Sequence, residues 1–395
     1  MAPGPTGFAA GAVRVLAELW GARFGDDDFV WSPAGMWLAL GAVASGARGG
    51  TAEELRALLG GDGVAAAEAV TWVGRRLGET DGLAVATGVW ARVPVLEGFR
   101  RGLPEVEFGV LRGAPARFVS PGEVSGATDR FGSPDAGAGQ DELDRWVRRA
   151  TGGRIPRLPL GLDGSEELVL LNALALKASW LTAFPRHLTR EEPFTDGYGD
   201  TRPVPTMRRC IPAAWVWSVA GVTVVELPCE GERGPRVRFL LGPEGAGPAE
   251  VLPAAWAGPA VCEPLAADSA ELALPRFSLR TKTDAGPHLA ALGITRALRP
   301  GADFSALSPA DLFVSKVVQE AVVEVAEEGV EAAAVTQVAM TRGAAPPRHQ
   351  VVERLAFDRP FGVVVLDASG EVPLFAGWRQ SAPGQSTTRA ISRPS

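Results

Sequence analysis

The spacing of apolar residues predicts mostly helices in the first part of the chain. Helical spacing covers four segments, residues 8–20, 33–45, 51–60 and 141–153. Ser32 is a typical helix N-cap, and Pro33 is a typical first helical residue. Thr51, with Glu54 three residues later, predicts a capping box at the start of the third helix.

The pattern becomes that of strands near residue 167. The segment EELVLLNALALKASW is a continuous apolar run, typical of a strand buried on both faces. Further strands are predicted in GVTVVELPCEG, RVRFLLGPEG and AELALPRFSLRT, over 312–328, and in a hairpin over 359–378. Earlier, residues 83–93 predict one strand, and the glycine-rich 132–140 predict a loop insertion. Helices followed mainly by strands, without regular βαβ alternation, favour the α+β class.

One stretch, EEGVEAAAVTQVAM at 327–340, suits neither a helix nor a strand well. Alanine is a poor strand former, and Gly329 would interrupt a helix. The absence of proline from 329 to 345 nevertheless leaves every backbone N–H available for a sheet. Taken alone, the window 317–340 fits an amphipathic helix or an alanine-rich linker about as well as it fits a segment that joins a sheet.

The composition argues against several classes of partner. The chain has 395 residues, 46% of them apolar, and a net charge of −7, so no basic surface for nucleic acid is expected. No apolar run is long enough to span a bilayer, so no membrane partner is expected. The N-terminal residues lack the charged region of a signal peptide, which predicts a cytoplasmic location and leaves secretion by another route open.

Motifs of catalysis and of metal binding are missing from the sequence. It contains no GxxxxGK[ST], HExxH, CxxC or GxSxG. The three cysteines, Cys210, Cys229 and Cys262, form no close pair and argue against a disulfide framework or a zinc site. We therefore expect no enzymatic activity, no cofactor and no bound metal.

Several longer motifs follow one another in a recognisable order. They are FVWSPAGMWLALGAVASGARGGTAEEL (29–55), RWVRRATGGRI (145–155), LVLLNALALKASWLTAF (168–184), ALGIT (291–295) and FDRPFGVVVLDASGEVPLFAG (357–377). Together with residues 327–340, they resemble the serpin family of serine protease inhibitors over nearly the whole chain. We identify the chain as a bacterial-type member of that family.

The resemblance implies both a fold and a mechanism. The fold would be a single α+β domain over 1–380, with three β-sheets and about nine helices, followed by a disordered tail over 381–395. Residues 327–357 would form an exposed reactive loop. The partner would be a target serine protease, which cuts the loop and forms a covalent acyl-enzyme. The cut loop would then insert as a new strand into the central sheet.

The resemblance also assigns a hinge at the start of the loop. Its residues would be Glu327, Glu328, Gly329, Val330, Glu331, Ala332, Ala333 and Ala334. Small side chains slip between packed strands, and a glycine supplies a backbone pivot. Val330 would be the first residue to insert. A non-inhibitory serpin that acts as a binding or chaperone-like protein is the alternative, and the small, proline-free hinge favours inhibition.

Two further groups of residues carry over from the family pattern. Ser32, Asn172 and Gln319 would form the shutter, a polar patch beneath the sheet, although a histidine is usual where Gln319 stands. Trp180 would mark the breach, where insertion begins. Arg276 would pair there with Glu327.

The position of the reactive bond remains open between neighbouring residues. The stretch GVEAAAVTQVAMTR resembles the loop of plasmin-inhibiting serpins and favours cleavage after Arg342, which predicts a trypsin-like target. The commonest loop register instead places the specificity residue at Gly343. Cleavage after Gly343 or Met340 would suit an elastase-, subtilisin- or chymotrypsin-like target.

Overall fold

The computed structural model describes residues 5–21, 25, 27–60, 63–111, 134–157, 161–330, 351–384 and 389–391. Within these ranges the chain forms eight α-helices. They are α1 (Pro5–Gly21), α2 (Pro33–Ala44), α3 (Gly49–Leu59), α4 (Gly63–Gly78), α5 (Glu97–Arg101), α6 (Pro134–Ala150), α7 (Pro248–Val251) and α8 (Gly286–Ala291).

The same ranges contain nineteen strands. In the first half of the chain they are β1 (Phe29–Trp31), β2 (Leu83–Ala91), β3 (Glu107–Val110), β4 (Leu168–Leu176), β5 (Ala178–Ser179), β6 (Arg190–Thr195), β7 (Thr201–Pro212), β8 (Val216–Val219), β9 (Val222–Pro228) and β10 (Arg236–Leu241). The remaining strands are β11 (Glu263–Pro264), β12 (Ser269–Pro275), β13 (Phe277–Asp284), β14 (Val314–Ala326), β15 (Gly329–Val330), β16 (Val352–Ala356), β17 (Phe361–Leu366), β18 (Pro373–Arg379) and β19 (Arg389–Ile391).

Three sheets account for these strands and confirm the predicted α+β architecture. One has seven strands in the order β1-β18-β17-β10-β9-β8-β11, and one has four in the order β16-β12-β7-β6. The third, called the central sheet below, has eight strands. Six follow the order β19-β13-β14-β4-β2-β3; β15 pairs with β14, and β5 pairs with β15.

A long parallel seam runs down the middle of the central sheet. Strands β14 and β4 pair in parallel from Val314 and Leu168 to Val322 and Ala175. Beyond Val322 the two strands separate, and β15 pairs with the end of β14 instead. The sheet is therefore closed over most of its length and open at one end.

Helices cover both faces of the central sheet. Every residue of α2 is buried, as expected for a helix that is apolar on all sides. Ser32 caps α2 as predicted, because its hydroxyl accepts a hydrogen bond from the Gly35 amide at 3.0 Å. On the opposite face, Trp146 of α6 packs edge-on against Trp90 of β2 at 4.5 Å between ring centroids.

Three details differ from the sequence predictions. The predicted loop at 132–140 is wrong, because α6 already begins at Pro134. The predicted capping box is also wrong: α3 begins at Gly49, and Thr51 accepts a hydrogen bond from the distant Asp303 amide instead. The expected disordered tail does not hold for residues 389–391, which pair in parallel with β13.

Candidate functional site

The hinge begins inside the central sheet. Gly329 and Val330 form β15, which pairs antiparallel with Ala326 and Val325 of β14. On its other side β15 pairs antiparallel with Ser179 and Ala178 of β5. The Val330 side chain is 0% exposed. Two residues of the predicted hinge thus already occupy the open end of the β14–β4 seam.

Gly329 is required here because the backbones come very close. A Cβ atom at Gly329 would lie 2.0 Å from the carbonyl oxygen of Ala178 and 2.7 Å from the Cα of Ser179. Both obstacles are main-chain atoms, so no side-chain rotation could relieve the clash. The hinge glycine therefore permits tight packing between strands as well as backbone freedom.

Glu327 anchors the residue just before β15 through a buried carboxylate. It is 2% exposed and accepts hydrogen bonds from Arg276 Nε at 2.8 Å and from the Thr189 hydroxyl at 2.6 Å. Burial alone would raise the pKa of Glu327, but these hydrogen bonds outweigh it and lower the pKa below its ordinary value. The predicted partners Arg276 and Glu327 therefore do meet.

The indole of Trp180 ties the same region to β14. Its Nε1 donates to the carbonyl oxygen of Ala326 at 2.9 Å. Its backbone amide donates to the carbonyl oxygen of Glu328 at 2.9 Å, and the Phe184 amide donates to the carbonyl oxygen of Glu327 at 2.8 Å. Arg186 forms an ion pair with the Glu328 carboxylate. Glu327 and Glu328 are thus held through both backbone and side chain.

The three predicted shutter residues form one hydrogen-bonded network. Gln319 of β14 accepts from the Ser32 amide at 2.9 Å and donates to the Ser32 carbonyl at 3.0 Å. The same side-chain nitrogen donates to Asn172 Oδ1 at 2.9 Å, across the β14–β4 seam. Asn172 donates in turn to the Thr87 hydroxyl of β2 at 2.9 Å. These side chains all lack an ionisable group.

Sequence reasoning missed several residues that complete these two clusters. Thr87 could have been found from strand pairing, since it lies directly opposite Asn172 in the antiparallel β2–β4 pair. Gly35 could not: a Cβ atom there would lie 2.1 Å from Asn172 Oδ1. Thr189 meets Glu327 only through tertiary folding, and no local pattern marks it.

A ladder of ion pairs crosses the four-stranded sheet, and sequence reasoning missed it too. Glu192 of β6 lies 2.7 Å from Arg190 Nε and accepts from Arg208 Nη2 of β7 at 2.8 Å. The hydrogen bond from Arg208 helps to lower the pKa of Glu192. Arg208 also pairs at 2.8 Å with Glu271 of β12, which pairs at 3.4 Å with Arg354 of β16. The ladder thus reaches the first strand after residues 331–350.

The remaining predicted residues lie outside the described part of the chain. They are Glu331, Ala332, Ala333 and Ala334 of the hinge, and Met340, Arg342 and Gly343 at the candidate reactive bonds. Their roles stay predictions.

Other chemistry in the described residues is sparse. Over the described ranges, no group of three or more His, Cys, Asp and Glu is arranged to hold a metal ion. In the same part of the chain, no helix is both long and apolar enough to cross a membrane. Cys210, Cys229 and Cys262 are free thiols, and burial raises the pKa of Cys229 to about 12.

Comparison with known proteins adds a family to this geometry. Residues 130–381 match the family model described as Serpin (serine protease inhibitor). Iripin-4 of Ixodes ricinus is 30% identical over 372 residues, which cover 89% of this chain and 88% of that protein. Leukocyte elastase inhibitor of Bos taurus is 32% identical over 256 residues, which cover 61% of this chain and 66% of that protein.

Solved structures agree on the fold. The thermophilic serpin tengpin, in its native state, has a TM-score of 0.76 at 21% identity, covering 95% of this chain and 94% of that one. Human thyroxine-binding globulin has a TM-score of 0.75 at 21% identity, covering 96% and 98% of the two chains. At these identities the likeness shows the shared fold alone.

The comparisons bear on two expectations from the sequence. The expectation of no enzymatic activity is corrected, because it rested only on missing motifs. The family match instead describes the chain by its action on enzymes, as an inhibitor of serine proteases. The bacterial-type label stays a prediction, because the relatives named above come from a tick and from cattle.

Proposed function

Because this chain belongs to the serpin family of serine protease inhibitors, we propose that it traps a serine protease by inserting its cut reactive loop into the central sheet. The target cleaves the loop and becomes covalently attached to it as an acyl-enzyme. The freed loop then extends β15 along the β14–β4 seam and carries the protease with it. The observation that carries this proposal is the position of β15 at the open end of that seam.

The direction of β15 supports this path. It runs antiparallel to both of its neighbours. A chain that continued from Val330 between β14 and β4 would therefore exchange one parallel seam for two antiparallel ones. Every new N–H could be paired, because residues 331–345 contain no proline.

The register of β15 supports a reactive bond near Arg342. Continued along β14, the pairing of Val325 with Val330 places Thr341 opposite Val314, the first residue of β14. The inserted segment would then fill β14 completely and end one residue before Arg342. A cut after Arg342 would thus leave the attached protease at the far end of the central sheet.

The same register supports a role for the shutter. Continued along both neighbours, it places Thr336 opposite Gln319 on one side and opposite Asn172 on the other. Thr336 would also share a sheet face with Val330, which points into the core. Its hydroxyl could replace the hydrogen bond that now joins Gln319 to Asn172 across the seam.

Trypsin is the first protease to test, because the pocket of trypsin-like enzymes is acidic and Arg342 is basic. The protein is incubated with trypsin, chymotrypsin, elastase and subtilisin in parallel, and the products are separated on denaturing gels. We expect a detergent-stable complex of summed mass with trypsin. Cleavage of the loop without any such complex would contradict the proposal and favour the binding-protein alternative.

Arginine variants locate the bond. Arg342→Ala should abolish the trypsin complex, whereas Arg348→Ala, which removes another arginine from the same segment, should leave it intact. The mass of the peptide released on complex formation gives the cut site directly. Release after Gly343 or Met340 would show that the assignment to Arg342 is wrong.

A further inference from the structure

The C-terminal residues lie along one side of the central sheet. Arg389, Ala390 and Ile391 form β19 and pair in parallel with Thr281, Lys282 and Thr283 of β13. On its other side, β13 pairs with β14 over all eight of its residues. Strand β19 is therefore the outermost strand of the central sheet on this side.

The strand that β19 covers would otherwise be an unusual edge. At the other sheet edges, β1 has three residues, β11 two, β3 four and β16 five, and the six-residue β6 contains Pro193. Strand β13 has eight residues, contains no proline and pairs with β14 without a bulge. Uncovered, it would be the longest edge among the described strands, and long regular edges invite pairing with another chain.

A buried cluster directs the chain end toward β13. Asp28 accepts hydrogen bonds from the amides of Gln380 at 2.6 Å and Ser381 at 2.9 Å, and pairs with Arg379 at 2.9 Å. Arg379 is 1% exposed and donates to the Ala382 carbonyl at 2.9 Å. The chain is therefore fixed over residues 379–382, just after its last strand in the seven-stranded sheet.

Arg379 also connects this cluster, called the anchor below, to the start of β13. Arg379 Nη1 donates to the Ser278 carbonyl at 3.4 Å. The five residue steps from Gly384 to Arg389 can span up to about 17 Å, whereas the path from Ser278 to Thr281 along β13 is about 10 Å. The number of residues is therefore compatible with the observed register.

We propose that β19 is a built-in edge strand, which pairs with residues 281–283 in the second half of β13 and thereby keeps a second copy of this chain from pairing along β13. The anchor at Asp28 and Arg379 holds β19 near its binding strand, so its effective concentration at β13 is high. Without it, two β13 edges can pair antiparallel about a twofold axis, because a strand edge is self-complementary. The proposal does not depend on protease inhibition.

Truncation tests the proposal in the otherwise intact protein. A chain that ends at Gly384 should lose amide-exchange protection in β13 and form dimers or larger species as its concentration rises in sedimentation velocity. A control chain that ends at Ile391 keeps all three paired residues and should behave as the full-length protein. A synthetic peptide of residues 385–395 should restore both protection and the monomer.

A double variant separates edge pairing from chain length. Successive amides of a strand point to opposite sides, so Arg389→Pro together with Ala390→Pro removes at least one amide that faces β13 and should reproduce the truncation, while Ser395→Pro, outside the paired residues, should not. Unchanged exchange at β13 in the chain that ends at Gly384 would overturn the proposal. A truncated chain that stays monomeric at every concentration would overturn it as well.

Discussion

Replacing Val330 by arginine should convert the inhibitor into a substrate. In the variant, keeping the hinge in the sheet buries an unpaired charge, at a cost of about 3 to 5 kcal/mol. Staying there retains the backbone hydrogen bonds of two residues, worth about 1 to 3 kcal/mol in total. The balance favours a hinge that leaves the sheet, and a cut loop that cannot begin to insert.

Val330→Thr is the matched control because threonine has nearly the same shape. Its buried hydroxyl costs about 1 to 3 kcal/mol, which the same backbone hydrogen bonds offset. We therefore expect the threonine variant to keep β15 paired and to remain an inhibitor. Amide exchange at Val325 and Ala326, the partners of β15 on β14, reports the position of the hinge in both variants.

The functional assay counts molecules of inhibitor consumed for each protease molecule inactivated. The arginine variant should be cut at the same bond as the wild type, yield almost no detergent-stable complex and consume many molecules per protease. The threonine variant should stay close to the wild type. If the arginine variant formed the complex as efficiently as the threonine variant, insertion would not depend on a residue 330 that is already paired in the sheet, and the reasoning would be refuted.

Three further variants, one of them with a matched control, test the hinge and the shutter. Glu327→Gln should lower the melting temperature by about 1 to 3 °C at neutral pH, a modest loss because the partner Arg276 is 46% exposed. The pKa of Glu327 is lower in the folded protein, so the stability that its carboxylate contributes is present above about pH 4.5 and is lost as the pH falls through the folded pKa. The melting temperatures of the variant and the wild type should therefore converge in acid. Gly35→Ala should destabilise by about 1 to 3 kcal/mol, because its Cβ would lie 2.1 Å from Asn172 Oδ1, whereas Gly11→Ala, with no heavy atom within 4 Å, should stabilise by about 0.5 to 1 kcal/mol in chemical unfolding. Below about pH 6.5, Gln319→His should lower the melting temperature relative to the wild type, because a buried imidazole resists protonation. Melting temperatures that depend on pH in the same way in both proteins would contradict this.

Residues that face each other across regular strands were the most predictable part of the site. Asn172 and Gln319 are paired residues of β4 and β14, so placing both strands correctly also brings the shutter together. Arg276 and Glu327 were expected to meet from the family pattern, and they do. How far the hinge enters the central sheet before cleavage was not predictable, because this depends on where β14 and β4 separate and not on residues 327–330 themselves.

Elsewhere, long-range contacts outweighed local sequence signals. The predicted capping box failed because Glu54 accepts hydrogen bonds from the amides of Thr295 and Arg296 at 2.8 and 2.7 Å. The first residues of α6 look like a loop, since glycine and proline are poor helix formers, yet Leu143 and Trp146 of the same helix are buried against the central sheet. Tertiary packing of that kind leaves no trace in a local propensity.

The parallel seam between β14 and β4 has a consequence for how the fold stores free energy. Parallel pairs are slightly less stable per residue than antiparallel pairs, and this long parallel pair ends where the described part of the central sheet opens to admit β15. A strand arriving from β15 would create two antiparallel pairs at the expense of that single parallel one. The uncut chain would then be kept from its lowest free energy by connectivity alone, and its observed lifetime would measure a kinetic barrier instead of an equilibrium.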